Sequence, residues 1–213
     1  MDSQERSLRL EIIKVCRKLE GRGLIAASDG NVSARAGRDC MLITPSGVSK
    51  AEMTPEEIAK TSMLGELLEG TIKPSSEIRM HLRVYGMRPD ISAIVHAHPP
   101  VATAFTLAGH PFNSKALPEV WMMLGKVPVA PYATPSTDEV ARSIEPYIME
   151  SRAILLERHG ALTFGGTLME ACMRMEKIEQ CARILFFAAM LEDRKAPAAL
   201  TEAEIARLGA SLA

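Results

Sequence analysis

Neither sign of charge dominates this chain. Its 213 residues carry 25 basic and 26 acidic side chains, a net charge of −1. That balance gives no reason to expect nucleic acid or a membrane surface as a partner. Long apolar runs are missing as well: none approaches the roughly 18 residues of a membrane span. The opening, MDSQERSLRLEIIKVCRKLEGRG, is charged and helical in pattern, unlike a signal peptide, so the cytoplasm is the expected compartment. Cysteine is sparse. Cys16, Cys40, Cys172 and Cys181 make no C-x-x-C pair. Cys172 and Cys181 stand nine residues apart on an expected helix, hence on opposite faces, and reduced, mostly buried thiols are the expectation. Internal repeats, low-complexity segments and linkers are also absent.

What is present is apolar residue in quantity, 47% of the chain, enough for one sizeable core. Residues 4–20 predict a helix from Leu8, Ile12, Val15 and Leu19, stopped by Gly21 and Gly23. A hairpin turning at Ala36-Gly37-Arg38-Asp39 follows, then a polar loop at Pro45-Ser46-Gly47. Thr54 and Pro55 open a short helical turn, and a second short hairpin is read around Leu64-Gly65. A helix is expected behind Glu77 and ends at Met87-Arg88-Pro89-Asp90; Ile91 to His98 reads as a strand and Val101 to Leu107 as a helix. Strands near 127–132 and 153–157 flank a helix at 137–149, and Thr163-Phe164-Gly165 closes another strand. A long helix from Leu168 to Leu191 and a last one at 200–210 complete the chain. The fitting class is α/β: one domain over residues 1–213 with a largely antiparallel sheet.

Histidine is also scarce, with five in the chain. Yet His96 and His98 stand two apart at the end of the strand-like AIVHAHPP. On a strand such a pair shares one face, while Val95 and Ala97 turn to the other, into a core. Two imidazoles on one face suit one metal ion, Zn²⁺ best among common cytosolic metals, although a bare surface pair has the same spelling. A catalytic zinc needs about three protein ligands, and His159, after Ala153-Ile154-Leu155-Leu156 and before Gly160, is the third candidate. His81, on the helix behind Glu77, and His110, in a Gly-His-Pro turn, read as structural or solvent-exposed.

Three small polar clusters have the composition of phosphate cradles: Gly30-Asn31-Val32-Ser33, Thr44-Pro45-Ser46-Gly47 and Ser75-Ser76-Glu77. Each alone fits a turn or a cap better than a phosphate site, and Ser76 fits an N-cap. Glu77, in the first turn of a helix, is either a dipole-stabilising residue or, beside a divalent metal, a base or ligand.

Taken in order, GNVSAR, LITPSG, PSSE, AIVHAHPP, VPVAPYATPST and ERHG resemble the class II aldolase/adducin family, with the L-fuculose-phosphate aldolase branch most similar. The resemblance runs from the first helix through the long helix near residue 190. It implies a three-layer α/β domain with a central, mainly antiparallel sheet flanked by helices. It also implies a homotetramer with sites between subunits, and Zn²⁺ or another divalent ion held by His96, His98 and His159. Glu77 is then ligand or base, and Gly30, Asn31, Ser46, Gly47, Ser75 and Ser76 bind a substrate phosphate. The implied reaction is reversible cleavage of a ketose 1-phosphate to dihydroxyacetone phosphate and an aldehyde, with the metal as Lewis acid. No Schiff-base lysine is required, which leaves Lys50 and Lys115 as bystanders or anion partners.

The chain departs from that branch where Leu117 to Met123 holds no tyrosine and where its tail, IARLGASLA, lacks aromatics. Both changes fall on the aldehyde side and point to a less polar aldehyde, as from 5-deoxyribulose or 5-methylthioribulose 1-phosphate. The rivals on the same fold are methylthioribulose 1-phosphate dehydratase, a sugar-phosphate epimerase and a non-catalytic, adducin-like binding module.

Overall fold

The computed structural model describes residues 1–191 and 197–210. Helix α1 (Ser3–Gly21) forms on the expected apolar spacing, and the Asp2 side chain caps it by accepting from the Glu5 amide at 2.7 Å. Next come β1 (Asn31–Arg35) and β2 (Cys40–Ile43), joined as the expected hairpin. A 3₁₀ turn at Pro55–Glu57 leads to a second hairpin, β3 (Ala59–Ser62) and β4 (Leu67–Glu69). Then follow α2 (Ile78–Met87), β5 (Ala93–Ala97), α3 (Pro100–Leu107) and α4 (Pro118–Leu124). The chain continues through β6 (Val129–Ala130), α5 (Asp138–Ile148), β7 (Ala153–Leu156) and β8 (Gly160–Gly165). It closes with α6 (Leu168–Leu191) and α7 (Glu202–Ala210).

The strands make one eight-stranded sheet in the order β4-β3-β2-β1-β5-β8-β7-β6. Every pairing is antiparallel except β6 with β7. Side chains alternate between two apolar layers. Val95 and Ala97 of β5 join Ala161 of β8 under α1, α3, α4 and α6. Ile94 of β5 joins Leu162 and Phe164 of β8 under α2 and α5. The result is three layers, helices on both faces of a mixed sheet.

Three sequence expectations change. Residues 118–124, to which the sequence pattern gives no element, are helical because Pro118 supplies a first helical turn and Gly125, at φ +63, stops it. The strand at 127–132 shrinks to two residues that pair only with β7. β5 ends at Ala97, so His98 stands just beyond the strand. The cysteine expectation holds: Cys172 and Cys181 are free and buried on opposite faces of α6. That part of α6 is packed against β8, β5, α1, α3 and α4 together, so more than one of its faces is covered.

Candidate metal centre and active site

His96 lies on β5 on the face shared with Ile94, so its ring points toward α2 and not into the Val95–Ala97 layer. Its Nδ1–H donates to the carbonyl of Ala161 on the neighbouring strand at 3.0 Å, which leaves the Nε2 lone pair free for the site. His98 is held past the strand end by its backbone N–H, which donates to Leu24 O at 2.8 Å. His159 comes from the turn 157–159 between β7 and β8. That turn is tight: Arg158 sits at φ +59, a left-handed conformation costly for a residue with a side chain, and its N–H donates to Thr106 Oγ1 at 3.0 Å. Gly160 follows because nothing larger fits. A Cβ there would collide with the Ala97 carbonyl and come within 2.8 Å of His98 Cδ2.

The three rings therefore meet. Their centroids are 5.0, 4.8 and 5.3 Å apart, and one nitrogen from each lies within 4.8 Å of the others. His98 Nε2 and His96 Nε2 face each other at 3.1 Å, a pairing that needs a proton or a cation between two lone pairs. Burial pulls His98 and His159 down to about 4, helped by the field of His96 and opposed by Glu77 and Asp29. At neutral pH these two rings are uncharged, as a metal ligand must be. Asp29 Oδ2 stands 3.6 Å from His98 Nδ1, beyond a direct hydrogen bond.

Glu77 closes the group from the start of α2. Its Oε2 is 3.0 Å from His96 Nε2 and its Oε1 is 3.3 Å from His159 Nε2. Burial works to raise its pKa, but the field and hydrogen bond of His96, the field of His159 and the Asn31 amide outweigh it. The carboxyl stays well below the usual range, ionised. Oε1 is buried with no hydrogen-bond partner. A buried carboxylate oxygen without a donor is costly, and a cation beside it removes that cost. Three imidazole nitrogens with a carboxylate form a donor set that fits a divalent metal such as zinc.

The three polar clusters lie together beside Glu77. Thr44 Oγ1 accepts from the Val32 N–H at 3.2 Å, and the Thr44 N–H donates to Val32 O at 3.0 Å. The Ser75 N–H donates to Thr44 O and the Ser46 N–H to Lys73 O, both at 3.0 Å, and Pro45 bridges to Pro74. Ser46, Gly47 and Ser76 are exposed at this surface, while Ser75 is buried and accepts the Glu77 N–H at 3.3 Å. Gly30 is held at φ +69, where a Cβ would come within 2.9 Å of the His96 carbonyl oxygen. Asn31 turns its side chain inward: Nδ2 donates to Glu77 Oε2 at 3.1 Å. Lys50 is buried, its ammonium donating to Ser28 O at 2.9 Å and Val48 O at 2.7 Å, so it ties the neighbouring loops together. Lys115 lies elsewhere, paired with Glu202 at 2.6 Å.

Residues 10–186 match the family described as class II aldolase and adducin N-terminal domain. The chain belongs to the class II aldolase and adducin family. It is 34% identical over 208 residues to an Escherichia coli protein named 3-oxo-tetronate 4-phosphate decarboxylase, covering 96% of each chain. It is also 34% identical over 174 residues to a Methanococcus maripaludis protein named L-fuculose phosphate aldolase, covering 82% of this chain and 93% of that one. Among solved structures, one named L-fuculose 1-phosphate aldolase superposes with a TM-score of 0.87 at 32% identity, covering 100% of this chain and 97% of that one.

Some residues of this class II aldolase-family site escape a reading of motifs. His81 is fully buried behind Glu77, in contact with the site and not with solvent. Ser33, Tyr85 and Asp29 also adjoin it. One signal was available for two of them: Glu77, His81 and Tyr85 stand at i, i+4 and i+8, a single face of a helix. Nothing local in the sequence marks the strained Arg158.

Proposed function

We propose that this chain is a divalent-metal-dependent lyase that breaks a carbon–carbon bond beside the carbonyl of a phosphorylated sugar-type substrate. The first substrate class is a ketose 1-phosphate of the fuculose, 5-deoxyribulose or 5-methylthioribulose kind, split reversibly into dihydroxyacetone phosphate and an aldehyde. One observation carries this reading. Three imidazoles and a carboxylate with an unpartnered oxygen converge next to polar loops that expose Ser46, Gly47 and Ser76.

His96, His98 and His159 would hold Zn²⁺, with Glu77 as a further ligand or as base. When bound, the cation supplies Lewis acidity, stabilising the negative charge that develops beside the breaking bond. Oε1 of Glu77 takes and returns the substrate proton, since it alone of the two carboxylate oxygens has no donor. Gly30, Asn31, Ser46, Gly47, Ser75 and Ser76 line the phosphate end, where backbone and hydroxyl donors fix the substrate in register. Retro-aldol cleavage removes the proton of the C4 hydroxyl. The C3–C4 bond then breaks toward the carbonyl, and C3 is protonated.

A second reading, loss of CO₂ from a phosphorylated 3-oxo acid, has its own support. Relatives with that activity in their names match this chain end to end. Decarboxylation leaves the same charge beside the carbonyl but needs no group to handle the proton of a leaving hydroxyl. The stretch Leu117 to Met123, assigned by resemblance to the aldehyde side, holds no tyrosine for that task.

The test is a substrate panel containing ketose 1-phosphates and 3-oxo-tetronate 4-phosphate, with aldehyde and CO₂ measured before and after chelation, since dihydroxyacetone phosphate is a product of both cleavages. Release of one of them, lost with chelator and restored by Zn²⁺, is expected. Dehydration with all carbons retained, epimerisation, or binding without turnover would transfer the chain to the corresponding rival function. The assembly that goes with this reading is a homotetramer.

A further inference from the structure

Behind Glu77 a line of buried polar side chains runs away from the site, and the proposed chemistry gives it no task. Tyr85 Oη lies 2.9 Å from Ser33 Oγ, and Ser33 Oγ lies 2.6 Å from His81 Nδ1. His81 Nε2 lies 2.5 Å from Asn31 Oδ1, and Asn31 Nδ2 lies 3.1 Å from Glu77 Oε2. Ser33 and His81 are wholly buried, with Tyr85 and Asn31 nearly so. They sit between β1 and α2, where an apolar packing would be the cheaper way to fill space.

The direction of each hydrogen bond is forced from one end. An ionised carboxylate only accepts, so Asn31 presents its N–H to Glu77 and its carbonyl oxygen to His81. His81 must therefore carry its hydrogen on Nε2. Burial pulls this imidazole down to about 3, with a further push from the field of His96, so the ring is neutral and Nδ1 is a bare acceptor. Ser33 then donates to Nδ1, and its oxygen is left to accept from Tyr85. Every bond points toward Glu77, and such a series polarises itself in one direction. An amide in the middle makes the line a poor proton wire. What it transmits is orientation.

We infer that His81 is a positioning residue: by holding the Asn31 amide in one orientation it fixes Oε2 of Glu77 and reserves Oε1 for the reacting proton. The inference rests on the lyase reading above. Without His81, the Asn31 oxygen loses its donor and the amide is free to swing away from the carboxylate. Glu77 then loses the Asn31 hydrogen bond and rotates between His96 and His159.

The experiment uses the metal-loaded enzyme. His81→Leu is expected to lower kcat by tenfold to a hundredfold, with KM and metal per chain unchanged. His81→Gln, which keeps an N–H toward Asn31 Oδ1, is expected to recover most of that loss. Nitrogen-15 spectra of histidine-labelled protein should place the hydrogen on Nε2 of His81. Wild-type kcat in a folded His81→Leu protein, equal losses in the Leu and Gln variants, or a hydrogen on Nδ1 would each overturn the assignment. Loss of activity in strict proportion to loss of metal would overturn it too. If His81→Leu does not fold, Ser33→Ala and His81→Gln take its place. Ser33→Ala, which frees the ring to flip, is then expected to lower kcat severalfold, and an unchanged value counts against positioning. Should the wild-type protein turn over nothing in the panel, the lyase reading fails alone, and the tautomer spectrum still decides the hydrogen-bond order.

Discussion

One methyl group is enough to disturb this site. Gly160→Ala would drive a Cβ into the Ala97 carbonyl and against His98. It is expected to destabilise the fold by about 1–3 kcal/mol, as overpacking does, and to shift His98, read as a lower urea midpoint and less bound metal. His159→Ala should leave a folded but metal-poor and inactive protein, measured by metal analysis beside circular dichroism; full activity would remove His159 from the site. His81 adds a pH dependence. Its folded pKa, about 3, is below the ordinary value because the ring is buried, so the unfolded chain binds a proton that the native state refuses. Its contribution is full above about pH 6.5 and falls by up to about 1.4 kcal/mol per pH unit as acidity increases toward pH 3. Urea titrations of the wild type and the His81→Gln variant should separate over that window. At this scale the three histidines that cluster, His96, His98 and His159, were legible, because H-x-H at a strand end and a histidine before glycine are local spellings. His81 was set aside, because a histidine on a helix reads as surface until the partner across the sheet is known.

Single elements are held by local rules, and most of them were legible for that reason. The apolar spacing of α1, the turn residues of the first two hairpins and the uninterrupted stretch of α6 all act within a few residues of themselves. Residues 118–124 were not legible, since Val120-Trp121-Met122-Met123 shows no clear period and the buried Val120 and Leu124 pack against partners from far along the chain. β6 also depends on a distant strand, β7, for its existence. The docking of α1 onto the outer hairpin rests on Arg9, a buried residue that sequence reasoning did not single out. Its guanidinium donates to Pro55 O at 2.9 Å, to Ile58 O at 2.5 Å and to Glu5 Oε1 at 2.6 Å, and Lys60 holds the other Glu5 oxygen at 2.8 Å. Arg9→Leu strands these acceptors in the interior and should destabilise the fold by about 3–5 kcal/mol, seen in denaturant melts.

The proposed metal would act on the whole molecule through mass action. A cation that binds only the native state, present at a hundredfold excess over Kd, adds about 2.7 kcal/mol. For a chain of this size that corresponds to roughly 5–10 °C in Tm, which calorimetry with and without chelator should register. No thermal difference would mean that the histidines hold nothing. The end of α6 exposes Phe186, Phe187, Met190 and Leu191, an apolar surface open to the proposed homotetramer. A monomer by sedimentation equilibrium would remove that assembly.

β5 is bonded along both edges, to β1 and to β8, and it carries His96 at its buried end. A strand clamped in this way is among the last segments to open in native-state exchange. The cage thus belongs to the most durable part of the scaffold. Stripping the ion should leave its walls standing, and reloading should proceed at the speed of ion entry, with no refolding delay.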